Sequence, residues 1–142
     1  MNSYDVRQDW ARNDQRHRFF GSFSGKSHWL GAYSFLVTLN SGRAYSITTG
    51  MDENFDGSFN DRPNKGVKRN SLRGPSVYTV NLIYSTPTIP YVPLRFNIQV
   101  TNLLNNTQIN GYGSVITSPF FGMPTSYGAG RSIRLSTSIV SF

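Results

Sequence analysis

The sequence predicts an all-β fold, an antiparallel meander of about five strands, and three observations support this prediction. Only 15% of the residues are charged and 14% are aromatic, whereas soluble domains carry about 25% charged residues. Ser, Thr, Asn, Gly and Tyr take the place of the missing charge, and they suit strands and turns. Apolar and polar residues alternate with period two in several segments. No long apolar stripe with 3.6-residue spacing predicts a helix.

The alternation is clearest at 94–102, where Leu, Phe, Ile and Val alternate with Arg, Asn, Gln and Thr. Segments 78–84 and 33–39 repeat it, whereas 16–24 and 131–142 are weaker. The apolar parity continues across Gly42, which predicts one long strand that is bent or bulged there. The five predicted strands cover 16–24, 29–49, 76–85, 94–104 and 131–142.

Long and short connections alternate between these strands. Residues 51–73 and 105–130 form long segments rich in Gly, Asn, Pro and Ser, whereas 25–27 and 86–93 are short. In an antiparallel meander, successive connections lie at opposite ends of the strands. The long loops are therefore predicted at one end of the sheet's strands and the short turns at the other end.

A strand with one apolar and one polar face fits two architectures. In a soluble sandwich the apolar face packs on a second sheet, and in an outer-membrane barrel it contacts lipid while the polar face lines the lumen. Lumen-type residues (Arg, Asn, Gln and Thr), aromatic strand ends and the unequal loops favour the barrel. Five strands cannot close a barrel, because bacterial examples start at about eight. The chain is thus predicted to be part of a larger transmembrane β-barrel.

Composition and motif searches argue against other classes. The net charge is +7, but the basic residues are scattered, so no nucleic-acid partner is expected. With no cysteine, thiol catalysis and disulfides are excluded. No nucleophile, base and orienting group occur at a recognisable spacing, so an enzyme is not expected. There is no signal peptide and no apolar run of the roughly 18 residues that a membrane helix needs.

Seven short motifs occur in order along the chain, which ends in Phe142. They are residues 14–19 (Asp-Gln-Arg-His-Arg-Phe), 39–45 (Leu-Asn-Ser-Gly-Arg-Ala-Tyr), 52–57 (Asp-Glu-Asn-Phe-Asp-Gly), 60–63 (Asn-Asp-Arg-Pro), 69–75 (Arg-Asn-Ser-Leu-Arg-Gly-Pro), 102–105 (Asn-Leu-Leu-Asn) and 121–125 (Phe-Gly-Met-Pro-Thr). Over almost the whole chain this order resembles the C-terminal barrel segment of TonB-dependent outer-membrane receptors. The nearest subgroup carries an N-terminal carboxypeptidase-regulatory-like domain.

The resemblance implies that residues 1–142 are the C-terminal portion of a barrel of about 22 strands with a plugged lumen. Such receptors import bulky ligands across the outer membrane of Gram-negative bacteria. The implied partners are lipid, the remaining strands and the plug, with TonB reached only through a missing N-terminal part. The long connections then lie outside the cell, and the chain alone is not expected to transport a ligand.

The last strand departs from the family pattern. Apolar residues usually alternate in phase with the terminal Phe, but Phe142 and Val140 share their parity with Ser138. Ile133, Leu135 and Ile139 have the opposite parity. A bulge near Ser138 is one way to restore the pattern.

Asp52, Asn54 and Asp56, followed by Gly57, have the spacing of a calcium loop. Asn60 and Asp61 are further candidate ligands, although Pro63 stands where the EF-hand has its acidic twelfth residue. The competing interpretation is a turn-rich loop whose Asp and Asn side chains bind their own backbone. A calcium ion is the only cofactor hypothesised. The second functional hypothesis is a soluble β-sandwich that binds carbohydrate through this loop.

Polar side chains with the parity opposite to the apolar residues are candidate ligand-binding residues in the lumen, and one basic residue is a candidate in a loop. They are Arg95, Asn97, Gln99, Asn81 and Arg73. Arg73, with Lys68 and Arg69, is a candidate for contacting an anionic ligand or lipopolysaccharide phosphates. Solvated loop charges, or pairing with Asp61, are the competing interpretations.

Overall fold

The computed structural model describes residues 15–63, 67–88 and 91–139. These residues divide into two compact units. We call the first the sheet unit, and it comprises residues 18–40, 77–88, 91–107 and 129–139. We call the second the loop unit, and it comprises residues 15–17, 41–63, 67–76 and 108–128. Among the described residues no helix is long and apolar enough to span a membrane.

All the regular elements of the described residues are β-strands. In chain order they are β1 (Arg18–Ser27), β2 (Gly31–Asn40), β3 (Ala44–Tyr45), β4 (Leu72–Arg73), β5 (Val77–Ser85), β6 (Leu94–Thr101), β7 (Ile109–Tyr112), β8 (Pro124–Tyr127) and β9 (Ser132–Ile139). The sheet unit is one five-stranded antiparallel sheet with the order β1-β2-β5-β6-β9. Each strand pairs with the next large strand along the chain, which confirms the predicted all-β meander of five strands.

The pairing register brings the apolar residues of all five strands onto one face. Directly paired residues share a face of an antiparallel sheet, and one row across the sheet is Phe23, Phe35, Leu82, Val100 and Ile133. The next row on the same face has a glycine instead of an aromatic residue in β1. It runs Gly25, Tyr33, Tyr84, Ile98 and Leu135. We call this surface the apolar face.

The opposite surface, which we call the polar face, carries the residues of the other parity. One of its rows runs Lys26, Ala32, Ser85, Asn97 and Ser136. Four larger apolar residues are exceptions on this face: Phe20 and Ile83 are exposed, and Leu36 and Val77 are half-buried. The period-two alternation seen in the sequence therefore separates side chains into two chemically different surfaces.

Many large side chains of the apolar face are exposed, whereas those near the middle of the sheet, such as Phe35, Leu82 and Ile98, are half-buried. Val100 is the one buried hydrophobic residue among the described residues. The exposed members of the face are Phe19, Phe23, Leu39, Tyr78, Leu94, Phe96, Ile133, Leu135 and Ile139. The described residues of the sheet unit thus form a single five-stranded layer, and many side chains of its apolar face are exposed.

Two predicted boundaries are wrong in an informative way. The single strand predicted over 29–49 is two strands, because β2 ends at Asn40 and β3 pairs with β4 in a separate two-stranded sheet. At Gly42 an added Cβ would collide with the carbonyl oxygen of Gly74. Glycine at position 42 therefore allows two backbone segments to approach closely. The strand is interrupted there, and not bulged as predicted. Residues 25–27, predicted as a turn, belong to β1, and the turn begins at His28.

The last strand keeps one register along its described length. β9 pairs with β6 from Ser132 to Ile139 without an offset, so no bulge occurs near Ser138. Ile133, Leu135 and Ile139 lie opposite Val100, Ile98 and Leu94 and complete the apolar face. The parity of Val140 and Phe142, on which the departure from the family pattern depends, lies outside the described residues.

The loop unit is built from the two long connections, which are more ordered than predicted. β3 pairs with β4 and β7 pairs with β8. A parallel bridge joins Thr48 to Val115, with the Thr48 N–H donating to the Ser114 carbonyl at 2.8 Å. The rings of Tyr45 and Tyr112 stack with centroids 4.9 Å apart. Residues distant in sequence therefore hold the connections together.

Candidate functional site

The first candidate site is the acidic loop, which we define as residues 52–61. Its short polar side chains bind the backbone just ahead of them. The Asp52 carboxylate accepts the N–H groups of Asp56 at 3.0 Å and Gly57 at 2.9 Å. Asn54 Oδ1 also accepts the Asp56 N–H, and Asp56 Oδ1 accepts the N–H of Ser58. The turn-rich interpretation of this segment is thus correct as far as these hydrogen bonds go.

Backbone conformation helps to close the acidic loop. Gly57 has φ +82° and Phe55 has φ 59°, both in the left-handed region. A glycine adopts this conformation without the steric penalty that a Cβ brings. An added Cβ at Gly57 would meet nothing within 4 Å, so conformation rather than space explains this glycine. The predicted sharp turn is therefore present at Gly57.

Asp61 is the most buried residue of the acidic loop, with 0% of its surface exposed. Its Oδ2 accepts the backbone N–H groups of Glu53 at 2.7 Å and Asn54 at 3.0 Å. Its backbone carbonyl accepts the N–H of Thr49 at 2.7 Å. Asp61 therefore ties both ends of the acidic loop together. Its Oδ1 and the Oδ1 of Asn60 are buried and have no hydrogen-bond partner among the described residues.

Electrostatics favour the ionised form of the exposed carboxylate in this loop. The side-chain amide of Asn54 donates to Asp56 Oδ2 at 3.1 Å and lowers the pKa of Asp56 below its ordinary value. Desolvation opposes this shift, and the N–H of Ser58 lowers that pKa further. Within the described ranges, no three acidic, histidine or cysteine side chains are already gathered around one point.

The second candidate site is the polar face, where three of the predicted lumen residues line two separate hollows. Asn81 and Gln99 line a cavity of about 160 Å³ together with Ser34, Thr101 and the apolar Leu36 and Ile83. Asn81 Oδ1 also accepts the N–H of Asn102 at 2.9 Å. Asn81, which is half-buried, thus has a structural bond as well as a place on this face.

Arg95 lines the other hollow, a cavity of about 360 Å³ beside the two short turns. Its guanidinium donates to Thr88 Oγ1 at 2.7 Å. Lys26 and His28 line the same cavity. Neither was a candidate in the sequence, because three basic residues so far apart come together only when β1 and β6 occupy the same sheet.

Asn97 and Arg73 have mainly structural contacts. Asn97 Oδ1 accepts the Ser85 hydroxyl at 2.7 Å, and its amide donates to Ser138 at 3.3 Å. These bonds join three neighbouring strands. Arg73 belongs to the loop unit, where its guanidinium donates to the carbonyl of Gly42 at 3.4 Å. Within the sheet unit, Arg95 lines one hollow, Asn81 and Gln99 line another, and Asn97 bonds to the neighbouring strands.

Sequence reasoning missed two buried asparagines that shape the connections. Asn102 is fully buried, and its amide exchanges two hydrogen bonds with the backbone of Asn106, at 2.9 and 3.0 Å. Asn70 is bound to the Ser46 hydroxyl through both its N–H and its Oδ1. Both have positive φ, which asparagine tolerates better than most residues. Their places in the motifs 69–75 and 102–105 were the available sequence signal.

Comparisons with known proteins add no family to this picture. No protein-family model, curated protein or solved structure matches the chain. The functional inference therefore depends on the two faces of the sheet, the acidic loop and the resemblance in the sequence motifs.

Proposed function

We propose that the chain is a wall segment from the C-terminal portion of the β-barrel of a TonB-dependent outer-membrane receptor, without enzymatic activity. Its apolar face contacts lipid and its polar face lines the lumen. Its long connections lie outside the cell, and its short turns face the periplasm. One observation carries the proposal: a five-stranded sheet gathers most of its large apolar side chains on one face, where many of them are exposed.

The free energy of exposing the apolar face to water supports an apolar medium around it. Moving one Val, Leu, Ile or Phe side chain out of water is worth about 1.5–3 kcal/mol. The face carries Phe23, Phe96 and Leu135 with more than half of their surface exposed, in addition to other large residues. Their combined burial is worth on the order of 10 kcal/mol or more, comparable to the whole stability of a typical domain. Lipid contact would recover this free energy.

The edges of the sheet support incorporation into a larger barrel. β1 pairs only with β2, and β9 pairs only with β6, within the described ranges. Each edge strand therefore offers unpaired backbone groups along eight to ten residues. Transmembrane sheets have to close, because backbone groups left unpaired in hydrocarbon cost several kcal/mol each. Further strands of the same barrel would pair with both edges.

The soluble sandwich has weaker support. A sandwich requires a second sheet packed about 10 Å from the apolar face. Leu94 is 40% exposed and Tyr78 is 44% exposed, although Val37 and Ile98 are half-buried. The acidic loop, which motivated this alternative, is compatible with either architecture.

Site-directed spin labelling tests which medium contacts each face. The chain has no cysteine, so single substitutions can be labelled without background. The chain would be reconstituted in phosphatidylcholine vesicles as part of the longer protein that supplies its neighbouring strands, with a label at Phe96→Cys, Ile98→Cys, Asn97→Cys or Gln99→Cys. Oxygen concentrates in hydrocarbon and a nickel chelate stays in water, so their collision rates with the label report its surroundings.

We expect oxygen collisions to dominate at 96 and 98 and nickel collisions to dominate at 97 and 99. The neighbouring positions on one strand are matched controls, since they differ only in the face they occupy. If positions 96 and 98 are shielded from both reagents, and the chain is monodisperse without detergent, the lipid-facing assignment is wrong and the sandwich is favoured.

Membership of a TonB-dependent receptor needs a separate test, because any outer-membrane barrel shares a lipid-facing wall. The reading frame upstream of the region that encodes this chain should continue into further alternating strands and a plug. An upstream frame that encodes an unrelated soluble domain would contradict the receptor assignment, while leaving the lipid-contact result unaffected.

A further inference from the structure

We infer that the acidic loop binds a divalent cation of the calcium class, with Asp61 and Asn60 among its ligands. The inference stands apart from the proposed function, since such a loop is compatible with a lipid-embedded or a soluble sheet. It begins with the buried carboxylate of Asp61, whose Oδ2 caps the N–H groups of Glu53 and Asn54. That capping holds the carboxylate against the Asp52–Asp56 turn.

The unpartnered oxygens point to a ligand. Asp61 Oδ1 is buried without a hydrogen-bond donor among the described residues, and so is Asn60 Oδ1. Buried polar atoms are nearly always paired, and an orphaned one calls for a specific explanation such as an ion. Both atoms carry lone pairs and no hydrogen, so their natural partners are hydrogen-bond donors or cations. We infer that one cation contacts both.

The residue types select the class of cation. The acidic loop supplies only oxygen ligands, from carboxylates and side-chain amides, and contains no histidine or cysteine. Such ligands suit hard cations, whereas zinc and copper prefer nitrogen and sulfur. Calcium accepts six to eight oxygens in a flexible arrangement, whereas magnesium demands a rigid octahedron. A turn with mixed carboxylate and amide ligands therefore fits calcium better.

The hydrogen bonds of Asp52 do not prevent coordination. Each carboxylate oxygen has two lone pairs, and each oxygen of Asp52 accepts one backbone N–H. The bonds orient the Asp52 carboxylate in the turn. Because the ligand set includes amide oxygens, the cation does not require three acidic side chains to meet at one point.

Local charge reinforces the attraction. The acidic loop contains four of the seven acidic residues of a chain with net charge +7, namely Asp52, Glu53, Asp56 and Asp61. Four like charges within ten positions repel one another. A divalent cation would relieve this repulsion and fix Asp61 against Thr49, whose N–H binds the Asp61 carbonyl.

Calcium titration of the full chain in detergent micelles tests the inference. Binding would be followed by isothermal titration calorimetry, with magnesium and zinc as parallel titrants at neutral pH. We expect wild-type affinity in the micromolar to millimolar range, on the order of that of known sensor and extracellular calcium sites. Magnesium should bind at least about tenfold more weakly, because of its stricter geometry.

Three variants identify the ligands. Asp61→Asn and Asp56→Asn should each weaken calcium binding by about tenfold or more. Glu53→Gln is the matched control, since it removes the same charge from the same loop outside the alternating set, and it should change the affinity less than about threefold. Asp56 is exposed, so Asp56→Asn remains informative if Asp61→Asn does not fold.

Three outcomes would overturn the inference. The first is a wild-type chain that shows no calcium binding at millimolar concentration. The second is an equal loss in Glu53→Gln and Asp56→Asn, which would indicate diffuse attraction of cations rather than a defined site. Equal binding of magnesium would refute the calcium class.

Discussion

The sheet unit and the loop unit are stabilised by opposite means. The sheet unit has regular strands, one buried hydrophobic residue, Val100, and a large exposed apolar face. The loop unit has short strands, and its buried residues are polar: Thr48, Thr49, Asp61, Arg62 and Asn70. Strand pairing organises the first unit, and side-chain bonds to the backbone organise the second. The sheet therefore depends on what surrounds it, whereas the loops depend on their own polar groups.

The largest expected effect would come from a charge on the apolar face. Ile98→Arg should destabilise the sheet in lipid vesicles by about 2–4 kcal/mol, because an arginine at mid-membrane depth loses its hydration. Gln99→Arg, on the polar face of the same strand, should cost less than about 1 kcal/mol. Urea unfolding followed by circular dichroism measures both. Equal losses would contradict the difference between the two faces.

Removing the Asp61 side chain should destabilise the loop unit and spare the sheet. Asp61→Ala leaves the N–H groups of Glu53 and Asn54 without their acceptor, at a cost of about 2–3 kcal/mol. Hydrogen exchange in the presence of a chelator measures this without a contribution from cations. Exchange should accelerate at 49–61 and stay unchanged in β5 and β6. Uniform acceleration in both units would show that they unfold together.

Asn102 tests the exception in the sheet unit, a fully buried polar residue just after β6. Asn102→Ala should cost about 1–3 kcal/mol, since both hydrogen bonds to Asn106 are lost. Its φ of 54° adds backbone strain for alanine. Asn102→Gly removes the same bonds without that strain and should be the milder change. The free energy of unfolding ranks the two, and the reverse order would rule out strain as a contributor.

The smallest effect should be a loss of loop stability in alkali. Burial raises the pKa of Tyr112 above its ordinary value, and the neighbouring Tyr45 raises it further. The neutral phenol is thus favoured in the folded state, and its stabilisation is complete below the unfolded pKa of about 10. It is lost as the pH rises from there through the raised pKa. Absorbance at 295 nm should reveal a late-ionising tyrosine that Tyr112→Phe removes, and an unchanged titration would contradict this.

Prediction from sequence succeeded where a single strand contains the whole signal. The alternation at Leu94–Thr101 predicts which side chains lie on each face of β6 without reference to any other strand. In the structure, β6 pairs with β5 and β9 so that the apolar residues of the three strands share one face. It failed at Gly42, where parity suggested a continuous strand. The break there depends on the approach of Gly74, a residue 32 positions away that parity does not report.

For the candidate sites, the spacing of Asp52, Asn54 and Asp56 identified a turn that the structure contains. Its binding of calcium stays a prediction. The burial of Asp61, with one orphaned oxygen, could not be read from the sequence, because it requires Thr49 and the turn to close around it. Likewise, Lys26 and His28 line one cavity with Arg95 only because a sheet brings distant strands together.

The sequence by itself determined that this chain forms amphipathic strands joined by alternately long and short connections, because period two and turn residues are local properties. Only the tertiary structure decided that the five strands align their apolar residues into one exposed surface, and that the long connections fold around buried polar groups. Both outcomes depend on pairing between residues far apart in the chain, which no local pattern specifies.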